Sequence, residues 1–231
     1  MKYETRKVEQ RIVFMPDDEL KEVLWGRLRW MKKVGLVSKS PISCYSTKNG
    51  LKKLLSRHAG DRMFITIDFI YAFHQITRDM IAEVVPVIKD TRFDVCFAKL
   101  QDRAVVPIGF PTSNCLFELF VSRKIDKPLM DWQTKHRGTI TRFTDNVVAT
   151  WRKNTDEAFR DLKACFSGLN VRFTPQRPRR CSQPIRFCGI IIPQRGKPHL
   201  SNSRKEKILQ TMNERSLNAQ EGVEAFLRQW R

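Results

Sequence analysis

The stretch ITRFTDNVVAT, Ile140 to Thr150, alternates apolar and polar residues, breaks at Thr144-Asp145-Asn146, and then resumes its apolar run. That pattern reads as a β-hairpin with an Asp-Asn tip. Asp at such a tip serves as a turn former, because its side chain bonds nearby backbone. It is equally a carboxylate held out at the end of two strands. What the rest of the chain brings beside it decides between the two.

Upstream, MFITIDF, Met63 to Phe69, is short, apolar and rich in Phe and Ile. It reads as a buried strand, closed by Asp68. An acid at the end of a buried strand is costly unless something pairs with it. If this strand lies beside the hairpin, Asp68 and Asp145 converge. Their oxygens suit a hard ion such as magnesium, and two such ions can activate a 3′ hydroxyl and stabilise a leaving pyrophosphate.

The charge fits a polyanionic partner. The 231 residues carry 43 Lys and Arg against 24 Asp and Glu, a formal net charge of +19. A surplus of that size opposes compaction and favours nucleic acid, where each neutralised phosphate releases a counterion. An anionic membrane is the weaker partner, since no segment joins a basic face to a continuous apolar face with interfacial aromatics. No apolar run is long enough to cross a bilayer, and MKYETRKVEQ is unlike a secretory leader. A soluble, cytoplasmic protein is expected. The six cysteines, Cys44, Cys96, Cys115, Cys165, Cys181 and Cys188, form no C-x-x-C pair. They are expected to be free thiols, several of them buried, without a structural zinc.

The remaining pattern is mixed. A helix should follow Pro16, with Leu20, Val23, Leu24, Leu28, Met31 and Val34 on one face and Gly35 as its stop. A second helix is expected from about Thr47 to His58. YAFHQITRDMIAEVV looks helical, and FDVCFAKL and RAVVPIGF look like a strand pair. PTSNCLFELFVSRKI should open a helix capped by Thr112 or Ser113. NTDEAFRDLKACFSG predicts a helix with Asn154 and Glu157 as a capping box and Gly168 at its end. LNVRF and IRFCGIII read as strands joined by the basic loop PQRPRRCSQP. Two more helix starts, Ser203 with Glu206 and Asn218 with Glu221, follow, and the last helix stops while still amphipathic, as a truncated chain would. The strands are too clustered for a β-α-β repeat, so the expected class is α+β, a sheet with helices on one face, which the resemblance below implies is antiparallel.

IDFIYAFHQI, PIGFPTSNCLFELF, RFTDNVV and FCGIII occur in an order and at spacings that resemble the palm of the reverse transcriptases, RNA-directed DNA polymerases. The match is nearest to bacterial retroelement enzymes of the group II intron, retron and phage-defence kinds. RKVEQRIVFMPDDELKEV looks like the start of their fingers. The resemblance runs from about Lys7 to Gly196. It implies a right-hand polymerase: a fingers part over 1–60, a ferredoxin-like palm over 61–200 with a fingers insertion near 77–106, and a partial helical thumb over 201–231. Asp68 and Asp145 then resemble the metal-ligating catalytic acids, Asn146 the second acidic position, and Phe143 the tyrosine of the tyrosine-x-Asp-Asp box. Phe73 falls at the steric gate that excludes a ribose 2′ hydroxyl; it reads as well as a core aromatic. Lys7 and Arg11 resemble the fingers cations on the triphosphate, or else a solvated basic strand. Pro107 and Gly109 resemble the nucleotide and template loop, and Phe187 and Gly189 the primer grip. Arg177, Arg179 and Arg180 would meet the nucleic-acid backbone. Implied cofactors are two Mg2+ ions, replaceable by Mn2+. Implied partners are an RNA template, a DNA or RNA primer and dNTPs, with a structured noncoding RNA or a further protein alongside, and no membrane.

The departures are specific. Asn146 replaces an Asp and removes one charge. Ile108 stands where Gln is common and Asn114 where Pro is. The lysine usual near Pro175 is absent, leaving Arg172 or Arg177 nearby, and Arg holds its proton too tightly to be a good acid. A catalytically silent nucleic-acid-binding module on the same fold is therefore the alternative, with an RNA-templated RNA polymerase as the third.

Overall fold

The structure is a computed structural model, and it describes residues 2–8, 11–37, 40–45, 50–60, 63–152, 156–169, 171–175, 177–180, 184–193, 195–213, 227 and 230. The expected helix start at Thr47, the Asn154 capping box, Cys181 and the helix start at Asn218 lie outside those residues.

An antiparallel ribbon of β1 (Tyr3–Val8) and β2 (Arg11–Pro16) opens the chain. α1 (Asp18–Lys33) follows. Asp17 caps it by accepting the Leu20 N–H at 2.8 Å, and acids in the first turn and lysines in the last suit the helix dipole. Leu20, Leu24, Leu28 and Met31 are buried as the spacing requires, each contributing about 1.5–3 kcal/mol by leaving water. Val34 is not part of that stripe: the helix ends at Lys33, and Val34 is 49% exposed as its C-cap. α2 is short (Gly50–Ser56).

The central sheet joins β3 (Met63–Phe69), β6 (Thr139–Phe143), β7 (Asn146–Trp151) and β8 (Phe173–Pro175) in the order β6-β7-β3-β8, with β9 (Arg179–Arg180) also pairing β3. Every pairing in it is antiparallel. β3 alternates strictly: Met63, Ile65, Ile67 and Phe69 are buried, and the residues between them are not. The buried face joins the main core with α5 (Ser113–Val121), α6 (Lys127–Lys135) and α7 (Asp156–Ala164). Helices on one face are thus present as expected. The opposite face is partly covered too. Phe64 and Val148 pack there with Leu55 of α2 and with a small sheet of β10 (Ile185–Phe187), β11 (Ile190–Ile192) and β12 (His199–Leu200). What stays open is the end of this face that carries Asp68 and the hairpin tip.

Between β3 and α5 run α3 (Ala72–Gln75), α4 (Arg78–Val84) and the pair β4 (Ala98–Leu100) and β5 (Arg103–Val105). The expected strand FDVCFAKL is shorter than its pattern: Thr91–Cys96 turns as a 3-10 helix, because Asp90 caps it by accepting the Arg92 N–H at 2.8 Å. Neither expected cap of α5 operates. Thr112 already has helical angles and makes no capping bond, and the Ser113 hydroxyl donates instead to the Pro107 carbonyl. α7 ends at Ala164, and Gly168 belongs to a separate 3-10 turn. α8 (Asn202–Asn213) follows β12. Among the described residues no helix is long and apolar enough to cross a membrane.

Candidate active site

β3 and β7 pair in a register that puts Asp68 opposite Asn146. β6 and β7 close with Phe143 opposite Asn146, so Thr144 and Asp145 form the tip. Thr144 has φ of 54°, a left-handed conformation few β-branched residues adopt. A two-residue hairpin loop requires a positive φ at its first position, so the turn itself imposes this conformation. The Phe69 N–H donates to the Asp145 carbonyl at 3.1 Å, which draws the tip across to the end of β3. The two carboxylates, 77 positions apart in the chain, therefore stand side by side.

Their electrostatics follow from that crowding. Burial pushes the Asp68 carboxyl above the usual range, and the Asp145 charge pushes it further. Burial raises Asp145 as well, against hydrogen bonds from its own N–H and from Asn146. Arg11 of β2 opposes both shifts. The Asn146 Nδ2 donates to Asp145 Oδ1 at 3.0 Å, so this amide binds the neighbouring carboxylate directly. Two crowded carboxylates of raised proton affinity form a hard oxygen donor set that a divalent cation relieves, and in that chemistry they fit magnesium. Among the described residues no group of three or more His, Cys, Asp or Glu gathers, so the acidic donors there number two.

The other residues singled out by the sequence fall into place unequally. Arg11 and Lys7 occupy register positions facing opposite sides of the β1–β2 ribbon, and only Arg11 acts on the carboxylates. Phe73, on α3, is half-buried and lies against the fully buried Phe117, ring centroids 4.8 Å apart. Pro107 to Gly109 docks on β2: Val13 bridges Ile108 in parallel, and the Phe14 N–H donates to the Ile108 carbonyl at 2.8 Å. Gly109 has φ of 109°, and a Cβ there would lie 2.2 Å from the Phe14 carbonyl oxygen. His74 secures the same junction through Nε2, 2.9 Å from the Ile12 carbonyl. A carbonyl only accepts, so Nε2 carries the proton. Phe187 is buried in the second cluster, and Cys188-Gly189 makes a tight turn with both φ positive. Arg177, Arg179 and Arg180 are exposed. Arg179 pairs with Phe64, four residues from Asp68 and roughly 13 Å along the strand.

No family profile matches this chain, and no curated protein matches it. Solved structures do. A telomerase from Candida tropicalis, in complex with a TWJ fragment of telomeric RNA, matches at a TM-score of 0.55 and 11% identity, over 99% of this chain and 52% of that one. An insertion-loop deletion mutant of the RNA-dependent RNA polymerase of a human picobirnavirus matches at 0.52 and 12%, over 84% and 44%. The fold is polymerase-like. The chain spans about half or less of the length of these structures.

On this polymerase-like fold several features stand out that the sequence did not assign. Cys44, Cys96 and Cys115 are buried, in line with several buried thiols, Cys165 is half-buried, and Cys188 is exposed at its turn. Desolvation, then the charges of Asp145 and Asp68, push the Cys188 thiol up to about 12. The β10–β11 tip therefore faces the carboxylates. His58 is buried, its ring nitrogens 2.9 Å from Thr150 Oγ1 and 2.8 Å from Thr141 Oγ1. Arg142, two residues before the tip, is fully buried between Glu118 and Asp126. The run CLFELFV carried a legible signal for that last feature, an acid embedded in an apolar stretch.

A pH dependence follows from the raised carboxyls. Cation binding needs both ionised, so Mn2+ affinity falls as pH drops through their raised range, above that of ordinary carboxylates. The stability contribution of these two groups moves the other way: raised on folding, they bind extra protons in the native state, so the stability they contribute without metal is lost as pH climbs from the unfolded pKa through the folded one. Thermal melts with and without Mn2+ from about pH 4 to 8 check both signs. Asp17, Asp90, Glu157 and Asp161 are lowered on folding and act in the opposite sense, so the sign is read against Asp145→Asn: a wild-type minus variant difference in melting temperature that rises with pH would contradict it.

Proposed function

We propose that the chain is an RNA-directed DNA polymerase of the bacterial retroelement kind, extending a primer 3′ end with deoxynucleotides. The observation that carries this is the convergence of Asp68 and Asp145 at the open end of a polymerase-like palm sheet, with Arg11 beside them. In this reading residues 1–60 contribute fingers, 61–200 the palm with an insertion near 77–106, and 201–231 the start of a thumb.

Asp68 and Asp145 would hold two Mg2+ ions, or Mn2+, through carboxylate oxygens. Bound ions of this kind activate the primer hydroxyl and neutralise the departing pyrophosphate. Asn146 orients the Asp145 carboxylate through its amide. Arg11, with Lys7 on the ribbon's other side, holds the triphosphate and needs no proton transfer to do so. Phe73, backed by Phe117, selects the sugar. Pro107 and Gly109 line the nucleotide and template pocket, Gly109 by admitting the fingers ribbon closely. Phe187 and Gly189 seat the primer end, and Arg177, Arg179 and Arg180 contact the backbone, where contacts position without reading sequence. The partners are an RNA template, a DNA or RNA primer and dNTPs, with a structured noncoding RNA or a second protein as the further candidates.

One observation favours a second reading, a silent nucleic-acid-binding module. The Asn146 amide occupies one oxygen of Asp145, and no third acid joins the pair among the described residues. Purified protein, an RNA template annealed to a DNA primer, labelled dNTPs and Mg2+ or Mn2+ separate the two. Extension supports the polymerase; salt-sensitive duplex binding without extension establishes the module. In an extending enzyme, Phe73→Val admits ribonucleotides, narrowing the dNTP over rNTP preference at least tenfold, about 1.4 kcal/mol. Unchanged selectivity would remove Phe73 from the gate and reopen the RNA-polymerase alternative.

A further inference from the structure

Arg142 is the unusual charge in this molecule. It is the penultimate residue of β6 and has no exposed surface, and Glu118 of α5 is equally buried. Its Nε and Nη2 donate to the two oxygens of Asp126 at 2.9 and 2.8 Å, and its Nη1 donates to Glu118 Oε1 at 2.7 Å. Ser43 Oγ donates to Glu118 Oε2 at 2.9 Å. The backbone is tied at the same point: the Arg142 N–H donates to the Ile42 carbonyl at 2.8 Å, and the Cys44 N–H donates to the Arg142 carbonyl at 2.9 Å. Asp126 closes a π-helical turn, Ser122–Asp126, that follows α5 directly. Such turns are rare and recur at functional sites. One residue of the catalytic hairpin is thus bound to two distant segments, by both its backbone and its fork.

Stability alone explains this poorly. Burying three charged groups is expensive, and apolar residues of similar volume often hold a fold as well or better. What the fork supplies and apolar packing does not is direction, because a planar guanidinium on a bidentate carboxylate fixes orientation as well as distance. The hairpin needs direction. Its tip begins two residues beyond Arg142, and Asp145 must meet Asp68 at a metal-binding spacing.

We propose that Arg142, clamped by Glu118 and Asp126, is a positioning residue that sets the height and tilt of the β6–β7 tip and so places Asp145 against Asp68. This rests on the polymerase reading for its catalytic consequence but not for its metal-binding one. The test uses the full chain, primer extension, and Mn2+ alone as the metal probe, titrated by electron paramagnetic resonance, with Asp145→Asn locating the signal. Arg142→Lys keeps the charge and loses the fork. It is expected to lower kcat about 100-fold, as a misplacement near 1 Å does, with KM for dNTP and duplex Kd within about threefold. Mn2+ affinity should fall about tenfold. The apolar triple Arg142→Met, Glu118→Leu and Asp126→Leu is expected to melt near the wild type and still show both losses. Wild-type kcat and Mn2+ affinity in that folded triple would make the network merely structural and overturn the proposal. Should the triple not fold, Arg142→Lys and Glu118→Gln carry the same comparison, and wild-type values in either overturn it. If the wild type never extends a primer yet Mn2+ affinity drops in these variants, the positioning role stands and the polymerase reading fails.

Discussion

Asp145→Asn abolishes primer extension, lowering kcat by at least ~10³-fold, or about 4 kcal/mol of transition-state stabilisation, while duplex Kd changes less than about twofold. The substitution is nearly isosteric, and its amide oxygen can still accept from Asn146 Nδ2. The hairpin and its backbone bond to Phe69 persist, so the loss is one of charge. Loss of a mere turn former would instead be silent, because Asn serves at a hairpin tip as well as Asp. The metal-free variant should also melt at or above the wild-type temperature at neutral pH, since it removes a half-buried carboxylate that crowds Asp68. Extension kinetics, fluorescence anisotropy on labelled duplex and a melting curve measure the three quantities on one preparation. Near wild-type extension would remove Asp145 from the metal site.

Gly109→Ala costs about 3 kcal/mol or more of stability, and loosens the β1–β2 ribbon from the Pro107–Gly109 segment. Two terms add. The φ of 109° is strained for any L side chain, worth about 1–3 kcal/mol. The new Cβ would also sit 2.2 Å from the Phe14 carbonyl oxygen, so β2 must move away. That movement breaks the bond from the Phe14 N–H to the Ile108 carbonyl and leaves buried polar groups unpaired, at about 1–3 kcal/mol more. For a chain of this size the melting temperature should fall about 10 °C. Gly26→Ala is the control. Gly26 lies within α1, and a Cβ added there would meet nothing inside 4 Å, so alanine should stabilise by about 0.5–1 kcal/mol. Equal effects at the two glycines would refute the close-approach argument.

The residues that could be read in advance are those whose signal is local. Strict alternation in MFITIDF, the break at Thr144-Asp145-Asn146 and the stripe of α1 depend on side-chain periodicity and turn chemistry over a few residues. The strand and the hairpin are found where they were expected, but Asn146 opens β7 and leaves Thr144-Asp145 as the tip, and in α1 Val23 is only half-buried and Val34 lies outside the helix. The expected strand FDVCFAKL fails over its first half, Phe93–Cys96, because a neighbouring carboxylate, Asp90, offered the backbone a competing bond, while Ala98–Leu100 is the strand expected.

By itself the sequence determined that the chain carries a basic surplus, a hairpin with Asp145 at its tip and a strand ending in Asp68. Tertiary structure alone decided that the two meet, because register between β3 and β7 is set by which faces can be buried together. It alone decided that Gly109 is a contact with Phe14, that the second face of the sheet is covered by β10–β12, and that Glu118 in CLFELFV answers to Arg142. A buried charge announces in sequence that it needs a partner; only the folded chain, closing loops of tens of residues, says which one.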